Sequence, residues 1–303
     1  MVASVRARTP SSSPTVRELL EEAAHAISRS RSIDHWQPAM SRWDAEELMA
    51  AALGTALTRD VRRSVPAAAQ RRRFAGMIAR RINGEPVAHI IGHFDFHGLR
   101  LRVRRGVFVP RVSSELLVDV ATKTLRRRKG TRVAADIATG TGPIALAIAH
   151  AVPDASVWGL DISREAIALC RDNARRLEIG NVRFVVSDML DALPSRLRGE
   201  VDVFTIHPPY VARGDLRILP REIRDFEPLH SLTDGSDDGL ELVRRLAEAS
   251  HVWLRPGGTL LVEIGTYLSR KTQAELRRAG LVDVAWTRDS LGVTRVISGR
   301  RPR

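Results

Sequence analysis

From Thr15 to Gly84 the apolar residues recur at helical spacing. Val16, Leu19, Leu20 and Ala23 form one stripe. Leu48, Met49, Ala52 and Leu53 form a second, in a stretch beginning at Asp44, and Phe74, Met77, Ile78 and Ile82 form a third. Residues three and four apart share a helix face, so this spacing predicts a small all-helical domain over residues 15–86, with polar connectors and Pro66 between its helices. The preceding 1–14 segment is poor in large apolar residues and rich in Ser and Pro, which predicts a disordered lead.

Beyond Pro86 the period changes. Phe94, Phe96, Leu99, Leu101, Val103, Val107 and Val109 largely alternate with polar residues, and Gly98 and Gly106 punctuate the run. Period-two alternation with glycine breaks predicts a β-hairpin connector over 87–112. From 113 to 303 short apolar runs alternate with amphipathic stretches. Strands are predicted at 131–137, 155–160, 182–186, 201–206 and 259–264, and helices at 142–151, 164–177, 240–254 and 269–279. Two more strands, 282–286 and 294–298, can pair antiparallel at the end. Strand-helix alternation of this kind predicts an α/β, doubly wound sheet with a ligand crevice at the carboxyl ends of its strands.

Composition changes this picture little. The 303 residues are 44% hydrophobic and 27% charged, enough to bury a core in two domains. No apolar run is long enough to span a bilayer, and Arg6 and Arg8 lead into Ser and Pro rather than a signal-peptide core. The single cysteine, Cys170, lies in an apolar helical pattern and reads as a core residue. It forms no intrachain disulfide, which suits a cytoplasmic setting. The formal net charge is +13. That excess can attract acidic partners, but the basic run 126–129 also suits a solvated helix end before Gly130. The aromatic residues, seven Phe, five Trp and two Tyr, form no cluster, which argues against direct nucleic-acid binding. The nine histidines show no metal-ligand spacing. The expectation is a monomer.

Candidate chemistry sits at the strand ends. The first strand of the α/β part runs into Asp136-Ile137-Ala138-Thr139-Gly140-Thr141-Gly142-Pro143, where a helix begins. Small residues let the backbone approach a ligand, and the free N–H groups of the helix start favour an anion. That anion can be a phosphate, or equally the carboxylate of an amino acid such as the methionine part of S-adenosylmethionine (SAM). A tight strand-to-helix turn is the bland alternative. The next strand ends in Asp161-Ile162, at the spacing of an acid that accepts from ribose hydroxyls. The third ends near Asp188-Met189, an acid able to accept from an adenine amino group and a thioether able to cover the ring. Either acid can instead serve as a turn or helix cap. The fourth strand delivers His207-Pro208-Pro209-Tyr210. Two prolines fix the backbone and leave carbonyl acceptors facing the crevice, and Tyr210 supplies a flat wall. Acceptors placed so suit methyl transfer to a planar nitrogen.

With these residues in view, the chain resembles the release factor glutamine methyltransferase family, also called the HemK or PrmC family. The resemblance runs from about Ser41 to Arg300. It is carried by 80–87, Ile91-Gly92-His93-Phe94, Phe96-His97-Gly98-Leu99, Val109-Pro110-Arg111 with Glu115, the loop 136–142, Glu227-Pro228, Asp238-Gly239-Leu240, Pro256-Gly257-Gly258, Glu263-Ile264-Gly265 and the tail from Asp289. It implies a Rossmann-like seven-stranded SAM methyltransferase domain, SAM as methyl donor, and a release factor docked through the helical domain. The residues it implies for SAM are Ala138, Thr139, Gly140, Thr141, Gly142, Asp161, Met189 and His207, and Asp136, Ile162 and Asp188 beside them complete the candidate cofactor-binding set. Those implied for the substrate side chain are His207, Pro208, Pro209 and Tyr210.

The chain departs from the family pattern at three places. His207 stands where the family has Asn, Val112-Ser113-Ser114-Glu115 where it has Pro-Glu-Thr-Glu, and Ala138 where it has the first loop glycine. An imidazole presents one acceptor nitrogen and one N–H, and once protonated it accepts nothing. Three readings therefore stand open: a protein-glutamine methyltransferase, a paralogue acting on another planar nitrogen or a small molecule, and a SAM-binding, catalytically silent partner-docking protein.

Overall fold

The computed structural model describes residues 13–34 and 39–303, so all but the end of the expected lead lies outside the described residues. The chain divides into two compact units, residues 1–91 with 220–222 and residues 92–219 with 223–303.

The first unit holds five helices among its described residues: α1 (Val16–Ser28), α2 (Met40–Leu53), α3 (Arg59–Arg63), α4 (Ala68–Ile82) and α5 (Val87–Ile91). Thr15 and Glu18 form a reciprocal capping box at the start of α1, which satisfies two otherwise unpaired N–H groups. Val16, Leu20 and Ile27 of α1 meet Leu48 and Met49 of α2 and Phe74 and Ile78 of α4 in one core. Arg81 of α4 is buried and donates to Asp44 of α2 at 2.7 Å and to Glu222 at 2.8 Å. Two expectations shift here. The second helix begins at Met40 rather than Asp44, and residues 87–91, expected in the hairpin connector, are helical and belong to this unit.

The second unit opens with the hairpin β1 (His93–Phe96) and β2 (Leu99–Arg102), then α6 (Glu115–Arg126) and the alternating series β3 (Arg132–Ile137), α7 (Pro143–Ala151), β4 (Ala155–Asp161), α8 (Arg164–Arg176), β5 (Val182–Val186), β6 (Val201–Ile206), α9 (Arg221–Arg224), α10 (Glu241–Trp253), β7 (Leu254–Glu263), α11 (Ser269–Arg278), β8 (Val282–Arg288) and β9 (Thr294–Arg300), the short α9 straddling the division between the units. The hairpin is short: Val103, Val107 and Val109 are buried but lie outside any strand. Phe96, Leu99 and Leu101 pack into the sheet unit's core with α6, so the expected connector is part of this unit. The outer edge of β2 is covered by α8. Asn173 accepts from the Arg102 N–H and donates to the Arg102 carbonyl, and Arg176 donates to the Arg100 carbonyl.

Seven strands form one sheet in the order β5-β4-β3-β6-β7-β9-β8. The first five run parallel and β9 and β8 pair antiparallel, as the terminal pattern predicts. Alternation sorts the side chains between two faces. Ala134, Val157, Val203 and Leu261 face the core shared with α6 and α7. Val133, Ala135, Ile137, Leu160, Phe204 and Val262 face the core shared with α10 and α11. The basic run after α6 is not wholly solvated: Arg128 and Arg255 both ion-pair with Asp202, whose carboxylate is buried and also accepts from the Val133 N–H. Among the described residues, no helix is long and apolar enough to cross a membrane.

Candidate active site

The chain order reverses between β3 and β6. From β3 the connection runs through α7 to β4 on one side, while β6 lies on the other. Such a switch point opens a crevice beyond the carboxyl ends of the strands. Ile137 pairs with Leu160 on β4 and with Ile206 on β6, and Asp161 pairs with Val186 on β5. The loop 138–142, the Asp161 corner and the His207 turn therefore leave neighbouring strand ends together.

Asp136 builds the loop. It is buried, accepts from the hydroxyls of Thr139 at 2.5 Å and Thr205 at 2.7 Å, and receives a backbone bond from Ala145 in the first turn of α7. Burial is the main cause that raises its carboxyl to about 7. Asp136 thus holds the crevice from beneath and does not face into it. Ala138 takes a left-handed backbone with φ 54°, where the family pattern has glycine. Gly142 also needs a positive φ, 83°, and a Cβ there would lie 3.0 Å from Cys170 Sγ and 3.1 Å from the Phe184 ring. Pro143 follows at the first helical position, where its missing N–H costs nothing. Cys170 is buried, donates to the Gly140 carbonyl at 3.1 Å, and is raised well above the usual thiol range by burial. It is the core residue the sequence predicts.

Asp161 accepts from the Gly140 N–H at 2.8 Å and the Ser163 N–H at 2.9 Å, one on each oxygen. A carboxylate has about four acceptor positions, so capacity remains for a ligand. Burial raises its pKa above the usual carboxylate range, against the pull of those two N–H groups. Ile162 beside it is exposed. Asp188 is exposed and ion-pairs with Arg245 of α10 at 3.0 Å, while Met189 is half-buried with φ 47°. Of the expected site residues, Ala138, Thr139, Gly140, Thr141 and His207 line the small cleft that forms against the loop, whereas Asp136, Gly142, Asp161, Ile162, Asp188, Met189, Pro208, Pro209 and Tyr210 are not part of its lining.

That cleft is lined by Phe108, Pro110, Arg111, Ser114, residues 138–141, Pro143, Ile144 and His207. The imidazole of His207 stands edge-on to Phe108, with centroids 5.6 Å apart, and is stacked with Tyr210 at 5.8 Å. Its Nδ1 lies 3.3 Å from Ser114 Oγ and 3.5 Å from Glu263 Oε2. Burial lowers its pKa below the ordinary histidine value. Glu263 opposes that shift and Arg111 adds to it. Pro208 and Pro209 are buried, and the Pro209 carbonyl accepts from the Asp234 N–H, so it is engaged within the fold rather than free for a substrate as the turn alone suggests.

Arg111, Ser113, Glu227 and Glu263 appear in the sequence motifs, but their pairing around this turn was not read from them. Arg111 donates from one guanidinium nitrogen to both oxygens of the buried Glu227 and stacks its charge over Phe108. Ser113 donates to Glu263 Oε1 at 2.9 Å. The carboxylate of Glu263 was findable in one respect: the residue ends a strand next to β6. Among the described residues, no cluster suited to a metal ion occurs.

Comparison with known proteins agrees with this architecture. Residues 18–92 match the family described as PrmC N-terminal domain, and residues 128–263 match a methyltransferase domain. A release factor glutamine methyltransferase from Burkholderia pseudomallei is 37% identical, over 86% of this chain and 92% of its own. One from Bradyrhizobium diazoefficiens is 35% identical, over 96% and 97%. A methyltransferase crystal structure from Pyrococcus furiosus shares the fold, with a TM-score of 0.50 at 19% identity over 68% of this chain and 90% of that one. By matches of 35–37% identity over 86% and 96% of its length, the chain belongs to the release factor glutamine methyltransferase family.

Proposed function

We propose that this protein transfers the methyl group of SAM to the side-chain amide nitrogen of a glutamine in a peptide chain release factor, docked through the helical unit. The observation that carries this reading is that the small-residue loop 138–141 and His207 line one cleft at the sheet switch point, with the Asp161 corner at the neighbouring strand end, in a chain matched over 86% and 96% of its length by two relatives of that name. When bound, SAM supplies an electrophilic methyl on a sulfonium sulfur. The residues fit such a ligand. Thr141 lines the cleft and its buried Oγ1 has no hydrogen-bond partner, and Asp161 keeps acceptor capacity for ribose hydroxyls.

An amide nitrogen is a poor nucleophile because its lone pair is shared with the carbonyl. His207 accepts from one amide N–H and holds the nitrogen; when that nitrogen takes the methyl the sulfur–methyl bond is given up, the sulfur leaving as a neutral thioether, and the His207 imidazole is the group placed to take the proton the nitrogen releases. Tyr210 and Phe108 wall the site and exclude water. The test is to incubate the protein with methyl-labelled SAM and a release factor, and to locate the label by mass spectrometry. Label on one glutamine, lost when that glutamine is changed to alanine, supports the reading; an unlabelled release factor removes it.

His207 in the asparagine position favours a second reading, the same chemistry on a different planar nitrogen. Label from a lysate appearing in a small molecule instead of a protein identifies that case.

A further inference from the structure

Two of the departures from the family pattern, His207 and the pair Ser113-Ser114, converge on one carboxylate. Ile206 pairs with Val262, so the next residues, His207 and Glu263, leave adjacent strand ends side by side. Glu263 is 3% exposed. Its Oε1 receives the Ser113 hydroxyl at 2.9 Å, and its Oε2 is buried, has no hydrogen-bond partner, and lies 3.5 Å from His207 Nδ1.

A neutral imidazole has two tautomers, and the neighbours of Nδ1 select between them. With the proton on Nε2, Nδ1 would turn a lone pair towards the Glu263 carboxylate, and Oε2 would stay buried without a donor. With the proton on Nδ1, a donor lies 3.5 Å from the orphaned oxygen, within reach of it after a small adjustment, while Ser114 Oγ at 3.3 Å can accept from Nδ1 in this tautomer and donate to it in the other. A buried charged acceptor left unsatisfied is costly, so the second arrangement is favoured. The ring cannot readily turn away, because it is held edge-on to Phe108 and stacked on Tyr210.

We propose that Glu263 is a positioning residue that holds His207 as its Nδ1–H tautomer, leaving Nε2 as an unprotonated acceptor for an N–H of the methyl-accepting group. The acceptor half of an asparagine amide is thereby reproduced and its donor half is not. The site then prefers a group that donates two hydrogens or one, such as a primary amide, over one that must itself accept at this position. The role in catalysis rests on the functional reading above; the tautomer does not.

The charged and titratable groups facing the ring are Glu263 on β7, Arg111 ahead of α6, and Tyr210 on its own turn. Long-range proton–nitrogen correlation spectra of the full chain, labelled with nitrogen-15 at histidine and assigned with His207→Asn, read the tautomer directly. The expected result is the Nδ1–H pattern in the wild type and a shift towards Nε2–H in Glu263→Gln, whose carboxamide can donate to Nδ1. With the acceptor substrate, Glu263→Gln is expected to lose at least tenfold in kcat, with KM for SAM unchanged. An Nε2–H pattern in the wild type overturns the proposal, as does a Glu263→Gln variant with unaltered tautomer and kcat. If the release factor is not a substrate, the wild-type spectrum alone still decides the tautomer, and the two failures are told apart.

Discussion

Arg111 meets Glu227 through a single guanidinium nitrogen, 2.7 Å and 2.8 Å from the two carboxylate oxygens, and the same cation lies 4.5 Å from the centre of the Phe108 ring. The carboxylate is buried while the arginine is about one-third exposed. Solvent therefore screens part of the attraction, but the carboxylate depends on it.

Removing the arginine side chain leaves that buried charge short of a donor. Arg111→Ala is expected to lower unfolding stability by about 1–3 kcal/mol and to weaken SAM binding, since Arg111 and Phe108 both line the cleft. Urea unfolding and isothermal titration measure the two effects. A variant within ~0.5 kcal/mol of wild type and with equal affinity contradicts this account.

Ala138 and Gly142 make opposite predictions from the same backbone property. Ala138→Gly relieves a left-handed strain of about 1–2 kcal/mol and gives back part of it as unfolded-state entropy. A net gain of about 0.5–1 kcal/mol is expected. Gly142→Ala adds the same strain and pushes a Cβ against Cys170 and Phe184, for an expected loss of at least ~2 kcal/mol. Thermal unfolding should move the two midpoints in opposite directions; movement in the same direction removes the argument.

Asp136 gives a pH dependence whose sign follows from burial. Its carboxyl is raised to about 7 from the ordinary aspartate value of 3.8. Below pH 4 both states hold the proton and the group contributes no slope. Between about 4 and 7 the unfolded chain releases the proton and the folded one keeps it, so stability falls as pH rises, by at most ~4 kcal/mol. Asp136→Asn lacks this group. The difference in unfolding free energy, wild type minus variant, should decline across that window. A flat difference would show that the carboxyl is not raised.

His207 behaves in the opposite sense. Burial lowers its pKa, so the unfolded chain takes up a proton first and stability falls as pH drops through the ordinary histidine range near 6.5. Methyl transfer should fall on the same acid side, because a protonated ring cannot accept. His207→Asn should keep activity within about tenfold and lose that acid limb, while His207→Phe should lose ~10²–10³-fold in kcat/KM. An acid limb unchanged in His207→Asn assigns it to another group.

Most strands and helices of the sheet unit were legible because each is a local pattern: buried strands read as short apolar runs, and helices show stripes. The helix α6 was signalled only by its basic end, the short α9 not at all, and β7 starts at Leu254 rather than 259. Residues 87–91 were not legible. Five residues of Val, Ala, His and Ile are too few to show a helical period and look strand-like by composition. The start of α2 was missed because Ala39 offers no side-chain cap, so Asp44 looked like the first signal. In the site, the loop and the His207 turn are contiguous motifs and were readable. The meeting of Ser114 with His207 spans 93 positions, and that of Ser113 with Glu263 spans 150. Such pairings follow from strand order, which no single stretch of sequence states. The same holds for Asp188, whose strand-end position was legible but whose Arg245 partner on α10 was not.

The hairpin edge has a consequence for the behaviour of the protein among its own copies. An open strand is a template on which another chain can add itself. On β2 that row of peptide groups is already occupied, at Arg102 by the amide of Asn173 and at Arg100 by the guanidinium of Arg176. A helix has taken the place an intruding strand would need, so this hairpin offers a poor seed for aggregation.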